Sequence, residues 1–147
     1  MTYMNKNAEL KRGYNVYIDA DADDLGTQMD VGLLLMEEGD SFTIEEPEKE
    51  CAVLLFGGKV DIAWGNKHCE AERPDCFHYE AYCLLAPRRT KIVLTAKAHS
   101  ELYIQKTLND RDYEAVMYTP DTVQTQHAGV YIKSILPNAG DVNHEVW

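Results

Sequence analysis

The chain has 147 residues, the size of one domain, and its 45% hydrophobic and 27% charged residues supply a core without disulfide or metal staples. That balance excludes collagenous, coiled-coil and wholly disordered chains. With 25 acidic against 14 basic residues the formal net charge is -11, which disfavours nucleic acid and anionic membrane surfaces as partners.

The N-terminal sequence Met1-Thr2-Tyr3-Met4-Asn5-Lys6 carries no apolar leader, and no apolar run nears the ~20 residues that cross a bilayer, so a cytoplasmic location is expected. Residues 1–12 are polar and unpatterned and are expected to be flexible, with residues 13–147 forming a single domain. In chain order, short runs rich in Val, Ile, Leu and Tyr predict strands at Tyr14–Ile18, Val31–Met36, Phe42–Ile44, Ala52–Phe56 and Val60–Trp64. Further runs follow at Tyr82–Leu85, Lys91–Thr95, Leu102–Ile104, Ala115–Tyr118 and Val130–Ile135. Turn signals fall between them, among them Glu38-Gly39-Asp40, Gly65-Asn66-Lys67 and Thr119-Pro120-Asp121, at the ~8–12 residue spacing of sandwich and barrel proteins. Phe56-Gly57-Gly58-Lys59-Val60 predicts a two-residue hairpin, with the glycines supplying positive φ. The class that follows is all-β.

Asp19, Asp21, Asp23 and Asp24 form an acidic turn that lacks the Gly and downstream Glu of a calcium loop and reads as a solvated segment. Cys51, Cys69, Cys76 and Cys83 include no C-x-x-C pair and are expected to be reduced thiols. His68-Cys69 with Cys76-Phe77-His78 is the one Cys/His cluster; its spacing matches no standard zinc module, and core thiols with exposed imidazoles are the preferred reading. Trp64, Tyr79, Tyr82, Tyr103 and Tyr131 read as strand packing more readily than as a sugar-stacking cavity. His99, His127 and His144 are scattered, and no nucleophile elbow or phosphate loop accompanies them.

Arg88-Arg89 with Lys91, backed by Arg73, is the one basic patch. Guanidinium groups clamp carboxylates bidentately, so Arg88, Arg89 and Lys91 are the candidate substrate-binding residues for a carboxylate ligand; a solvated strand edge, or pairing with the many carboxylates, is the preferred reading.

The stretch Gly39 to Gly57 lies on the frame of the first cupin motif, but Glu45 and Pro47 stand in the histidine places, with Glu50 ahead of Gly57. In the second motif Pro87 leads to Arg88-Arg89-Thr90-Lys91-Ile92 and no histidine follows. Proline has no donor atom and a catalytic cupin metal needs several converging ligands, so no metal or other cofactor is expected in this chain. The runs Gly39–Thr43, Glu50–Val60, Ala115–Pro120 and Ser134–Asn138 resemble, in order and spacing, the N-terminal half of the 5-deoxy-glucuronate isomerases of inositol breakdown. The resemblance implies a cupin-type double-stranded β-sandwich, or jelly roll, from a bicupin plan whose C-terminal half carries the divalent metal and the aldose–ketose isomerisation.

Three roles follow as expectations. The chain is a non-metal half that needs a separate metal-bearing cupin, a binding module for a small sugar acid, or a structural cupin that pairs with a copy of itself as a homodimer.

Overall fold

The computed structural model describes residues 9–22, 26–122, 124–127 and 131–134, the last two stretches by backbone alone. Among them are eleven strands and no helix: β1 (Gly13–Ile18), β2 (Met29–Met36), β3 (Ser41–Glu45), β4 (Lys49–Trp64), β5 (Lys67–Arg73), β6 (Cys83–Ala86), β7 (Lys91–Ala96), β8 (Ser100–Leu108), β9 (Val116–Tyr118), β10 (Gln124–His127) and β11 (Tyr131–Ser134). No described helix is long and apolar enough to cross a membrane. The acidic residues Asp23 and Asp24, the side chains of His127 and Tyr131, and His144 lie outside the described residues.

Each strand pair is antiparallel. One layer runs β1-β2-β8-β4-β6-β9, and the other is built from β3, β7, β4 and β5. The two share β4, whose first half pairs with β8 and β6 and whose second half pairs with β7 and β5. Period-2 alternation then sorts β4. Cys51, Val53 and Leu55 turn inward with Val60, Ile62 and Trp64 to meet Leu34, Ile44, Ile92, Leu94, Leu102 and Ile104 in the core between the layers. Ala52 and Leu54 turn to the other face of the first layer, where Cys83, Leu85, Tyr103, Tyr113 and Tyr118 form a second apolar cluster. This is the all-β sandwich the sequence predicts.

Two expectations are corrected. Gly57-Gly58 is not a hairpin; the strand runs through it with a register shift between Leu55 and Gly57, and the chain changes layer there. Gly58 has φ 116, and a Cβ at this position would stand 2.3 Å from the Ser100 hydroxyl and 2.5 Å from the His99 carbonyl oxygen. Lys59 and Ser100 seal the crossing, with the Lys59 amide donating to Ser100 Oγ at 3.0 Å and Ser100 Oγ donating to the Lys59 carbonyl at 3.2 Å. The hairpin is instead at Gly65-Asn66, with Gly65 at φ 55 as the first central residue and Trp64 opposite Lys67. The strand β5 that it opens was not predicted.

Arg73 is likewise not part of a basic patch. It is 4% exposed, and its guanidinium donates to the carbonyls of Leu55 at 2.7 Å, Tyr79 at 3.0 Å and Cys76 at 3.3 Å, which fastens the 74–79 loop to the sheet. Burial lowers its pKa, but carbonyl dipoles take the place of water around it.

Gly58→Ala is expected to destabilise the fold by at least ~2 kcal/mol, combining a positive-φ penalty with a backbone clash. Gly57→Ala, whose Cβ would meet its nearest atom, the Pro74 carbonyl oxygen, at 3.4 Å, is expected to cost about 1 kcal/mol or less. Urea denaturation of the two variants checks this, and equal midpoints would contradict the assigned crossing.

Candidate functional site

At one end of the sandwich the inward positions change from apolar to charged. Lys49 follows the parity of Cys51 and Val53 on β4, Lys106 that of Leu102 and Ile104 on β8, and Asp30 that of Gly32 and Leu34 on β2. With Tyr14, Val16, Ile18 and Asp19 these residues line a cavity of about 180 Å³. The Tyr14 ring reaches it by lying diagonally over Gly32, the β2 partner of Val16; a Cβ there would stand 2.4 Å from the ring. Tyr14 packs on Phe42 with ring centroids 5.6 Å apart.

The charges are paired. Lys49 Nζ donates to Asp30 Oδ2 at 2.7 Å, and Lys106 Nζ donates to Glu46 Oε1 at 2.6 Å while standing 5.7 Å from the Tyr14 ring centroid. The side chains of Lys49, Asp30 and Lys106 are 17%, 17% and 14% exposed, so these pairs are far less screened than surface ion pairs. Burial pushes the Asp30 carboxyl up, but the Lys49 hydrogen bond, the Ala20 amide at 2.8 Å and the nearby ammonium charges outweigh it, and the net pKa is lowered. Lys49 is raised by the same pair. Burial and the neighbouring acidic groups push the Tyr14 hydroxyl up to about 12, so it stays protonated near neutrality. Beneath them burial pushes the Cys51 thiol up to about 12, which leaves it neutral and poorly nucleophilic. Each ammonium has three N–H donors and spends one on a protein carboxylate, so the cavity presents donors to an anion and carboxylate oxygens to hydroxyls.

The divalent metal of catalytic cupins is not matched by the residues at its positions. Glu45 and Pro47 are exposed, and Ile92 is a core residue 1% exposed. Glu50, fully buried, lies on the other face of the first layer, where its Oε2 accepts from Asn109 Nδ2 at 2.7 Å and from the Tyr113 hydroxyl at 3.0 Å. Burial and Glu50 together raise the Tyr113 pKa. Among the described residues no three His, Cys, Asp or Glu side chains gather as a ligand set.

The predicted basic residues form the turn between β6 and β7. Arg88 is committed to Asp112, with Nε 3.0 Å from Oδ1; Arg89, exposed at φ 66, donates its amide to the Glu46 carbonyl at 2.7 Å; Lys91 opens β7, exposed and opposite Glu45. Glu46 also holds Lys106 and so links this turn to the cavity, which Arg88, Arg89 and Lys91 do not themselves line. The Cys/His cluster is not assembled as a site. His68 pairs with Asp61 and His78 with Asp75, both at 3.0 Å on exposed imidazoles, while Cys69 packs against the core. Sequence reasoning missed Asp30, Glu46, Lys49 and Lys106. The signal that could have found them is charge at positions whose parity points into the core.

The KduI/IolB family matches the chain over residues 3–136. No curated protein matches it significantly. Among solved structures the chain is similar to an IolB-like protein from Salmonella typhimurium LT2, with a TM-score of 0.79 and 19% identity over 88% of this chain and 52% of that one. It is also similar to a cupin superfamily protein from Desulfitobacterium hafniense DCB-2, with a TM-score of 0.51 and 16% identity over 70% and 84%. A third likeness is to a salicylate 1,2-dioxygenase variant from Pseudoaminobacter salicylatoxidans, with a TM-score of 0.50 and 12% identity over 63% and 25%. At these identities the likenesses establish the cupin fold, and the chain spans about half the length of the IolB-like structure.

Acid stability tests the electrostatics. Asp30, and Asp40 held at about 2 by the Arg12 hydrogen bond, both titrate below the ordinary 3.8. A depressed carboxyl contributes stability in full above its unfolded value and loses it as pH falls through the folded one. Denaturation midpoints are therefore expected to drop between about pH 4 and pH 2, and less steeply in Asp30→Asn and Asp40→Asn. An unchanged slope in both variants would contradict the pairing.

Proposed function

The chain belongs to the KduI/IolB family, and from that membership we propose that it is a sugar-acid-binding cupin domain of uronate or inositol breakdown. The aldose–ketose step, a proton transfer between C1 and C2 of the sugar acid, falls in this reading to a metal-bearing cupin, in the same polypeptide or a separate one. The division is supported by the chain's match to about half of the IolB-like structure and by the poor fit of Glu45, Pro47 and Ile92 to a metal.

The observation that carries the binding role is the paired charge at the mouth. Lys49 and Lys106 receive the carboxylate of a 5-deoxy-glucuronate-like ligand, while Asp30 and Glu46 accept from its hydroxyls. The Arg88-Arg89 turn and Lys91 extend the basic rim. The cavity of about 180 Å³ is below the ~300–1,000 Å³ of drug-sized pockets, which suits the carboxylate end of one sugar with the remainder reaching solvent.

Titration calorimetry with 5-deoxy-glucuronate tests this. Saturable binding is expected near ~1 mM or tighter, about -4 kcal/mol or better, with glucose giving no heat. Lys106→Met combined with Glu46→Gln, which leaves no orphaned charge, is expected to weaken binding about ten-fold or more. Equal binding of glucose, or an unaffected double variant, would overturn the assignment, and isomerisation by the chain alone would overturn the division of labour.

A further inference from the structure

A second concavity, of about 680 Å³, lies on the outside of the molecule where β4 changes layer. Its floor is Phe56, Gly57, Gly58 and Ala98, with Phe77 and Pro74 on one wall. Phe77 is 83% exposed. The loop that carries it is tied down by hydrogen bonds: Asp75 Oδ1 accepts from the amides of Phe77 and His78, both at 2.8 Å, and Arg73 donates to the carbonyls of Cys76 and Tyr79. Phe56 is backed by Tyr103, with ring centroids 5.8 Å apart. A large aromatic held out of reach of the core on an ordered loop has the character of an interface anchor.

The rim fixes the sign of the partner. Glu72, Glu101 and Asp75 bring carboxylates that are 65%, 48% and 38% exposed. Lys59, His99 and His78 pair with these same acids, but Glu70 and Glu37 share Lys59 and His99, so the rim stays acidic on balance. Lys59 lies 3.2 Å from Glu70 and 3.5 Å from Glu72, and His99 lies 2.8 Å from Glu37 and 3.7 Å from Glu101. A second copy of a chain with net charge -11 would bring like charge to this rim.

We propose that this groove docks a basic peptide segment, one that sets an aliphatic or aromatic side chain against Phe77 and Phe56 and Arg or Lys side chains against Glu72, Asp75 and Glu101. The site shares no lining residue with the Lys49–Lys106 cavity and does not depend on its assignment. Ring contact supplies the anchor and the carboxylates supply orientation and on-rate, so binding weakens as salt screens the rim.

Fluorescence anisotropy with a labelled short peptide of alternating Arg and Leu tests the proposal on the full chain. One-to-one saturable binding is expected, with no binding of the Glu/Leu counterpart. Phe77→Ser is expected to weaken the Arg/Leu peptide about ten-fold, and Glu72→Gln with Glu101→Gln to weaken it and flatten its salt dependence. Phe77→Ser changes no charge and removes a ring the fold does not bury, so its effect separates the groove from general attraction to an acidic protein. Equal affinity of wild type and Phe77→Ser, or no binding of the Arg/Leu peptide, would overturn the proposal.

Discussion

A strand of sixteen residues can serve two layers only if its backbone turns between them without losing its ladders, and β4 does so at Leu55–Gly58. Positive φ at Gly58 and the absence of a side chain there bring the chain against Ser100 and the His99 carbonyl. The parity of every later position follows from this crossing. Val60, Ile62 and Trp64 continue the core begun by Cys51, Val53 and Leu55, and the registers of β5, β7 and β8 are set against the same strand.

Both candidate sites descend from that geometry. The smaller cavity opens on the inner face of the first layer where the inward row of β4 runs out of apolar residues at Lys49, beside Lys106 and Asp30. The outer groove lies over the crossing itself, floored by the two glycines. The interior that would hold a metal in a catalytic cupin is instead close-packed around Ile44 and Ile92, and the buried carboxylate of Glu50 belongs to a network on the opposite face.

Most strands, and with them the all-β class, were legible because Val, Ile, Leu and Tyr alternate between turn residues, and the family resemblance carried the cupin type. Two local features were not. Glycines inside a strand signal equally a hairpin or a bend, and only the pairing of Leu55 and Gly57 with β8 separates the two. β5, which reads Lys-His-Cys-Glu-Ala-Glu-Arg, hides its inward Cys69 and Ala71 among charges, so its composition carries no strand signal. The mouth was illegible for a different reason. Asp30, Glu46, Lys49 and Lys106 lie up to 76 positions apart and meet only after three strands pair, whereas the contiguous Arg88-Arg89 drew attention and forms a turn bonded to Glu46. Glu46, just past the end of β3, and not its exposed neighbour Glu45, takes the Lys106 hydrogen bond.

The central claim, that this domain works through paired charges at its mouth and not through a metal of its own, is tested most directly by the metal content of the purified, dialysed, tag-free chain. Inductively coupled plasma mass spectrometry is expected to find transition metals far below one per chain. A near-stoichiometric metal that survives dialysis and is lost on substitution of Glu46 or Asp30 would contradict the account and make the mouth a metal centre.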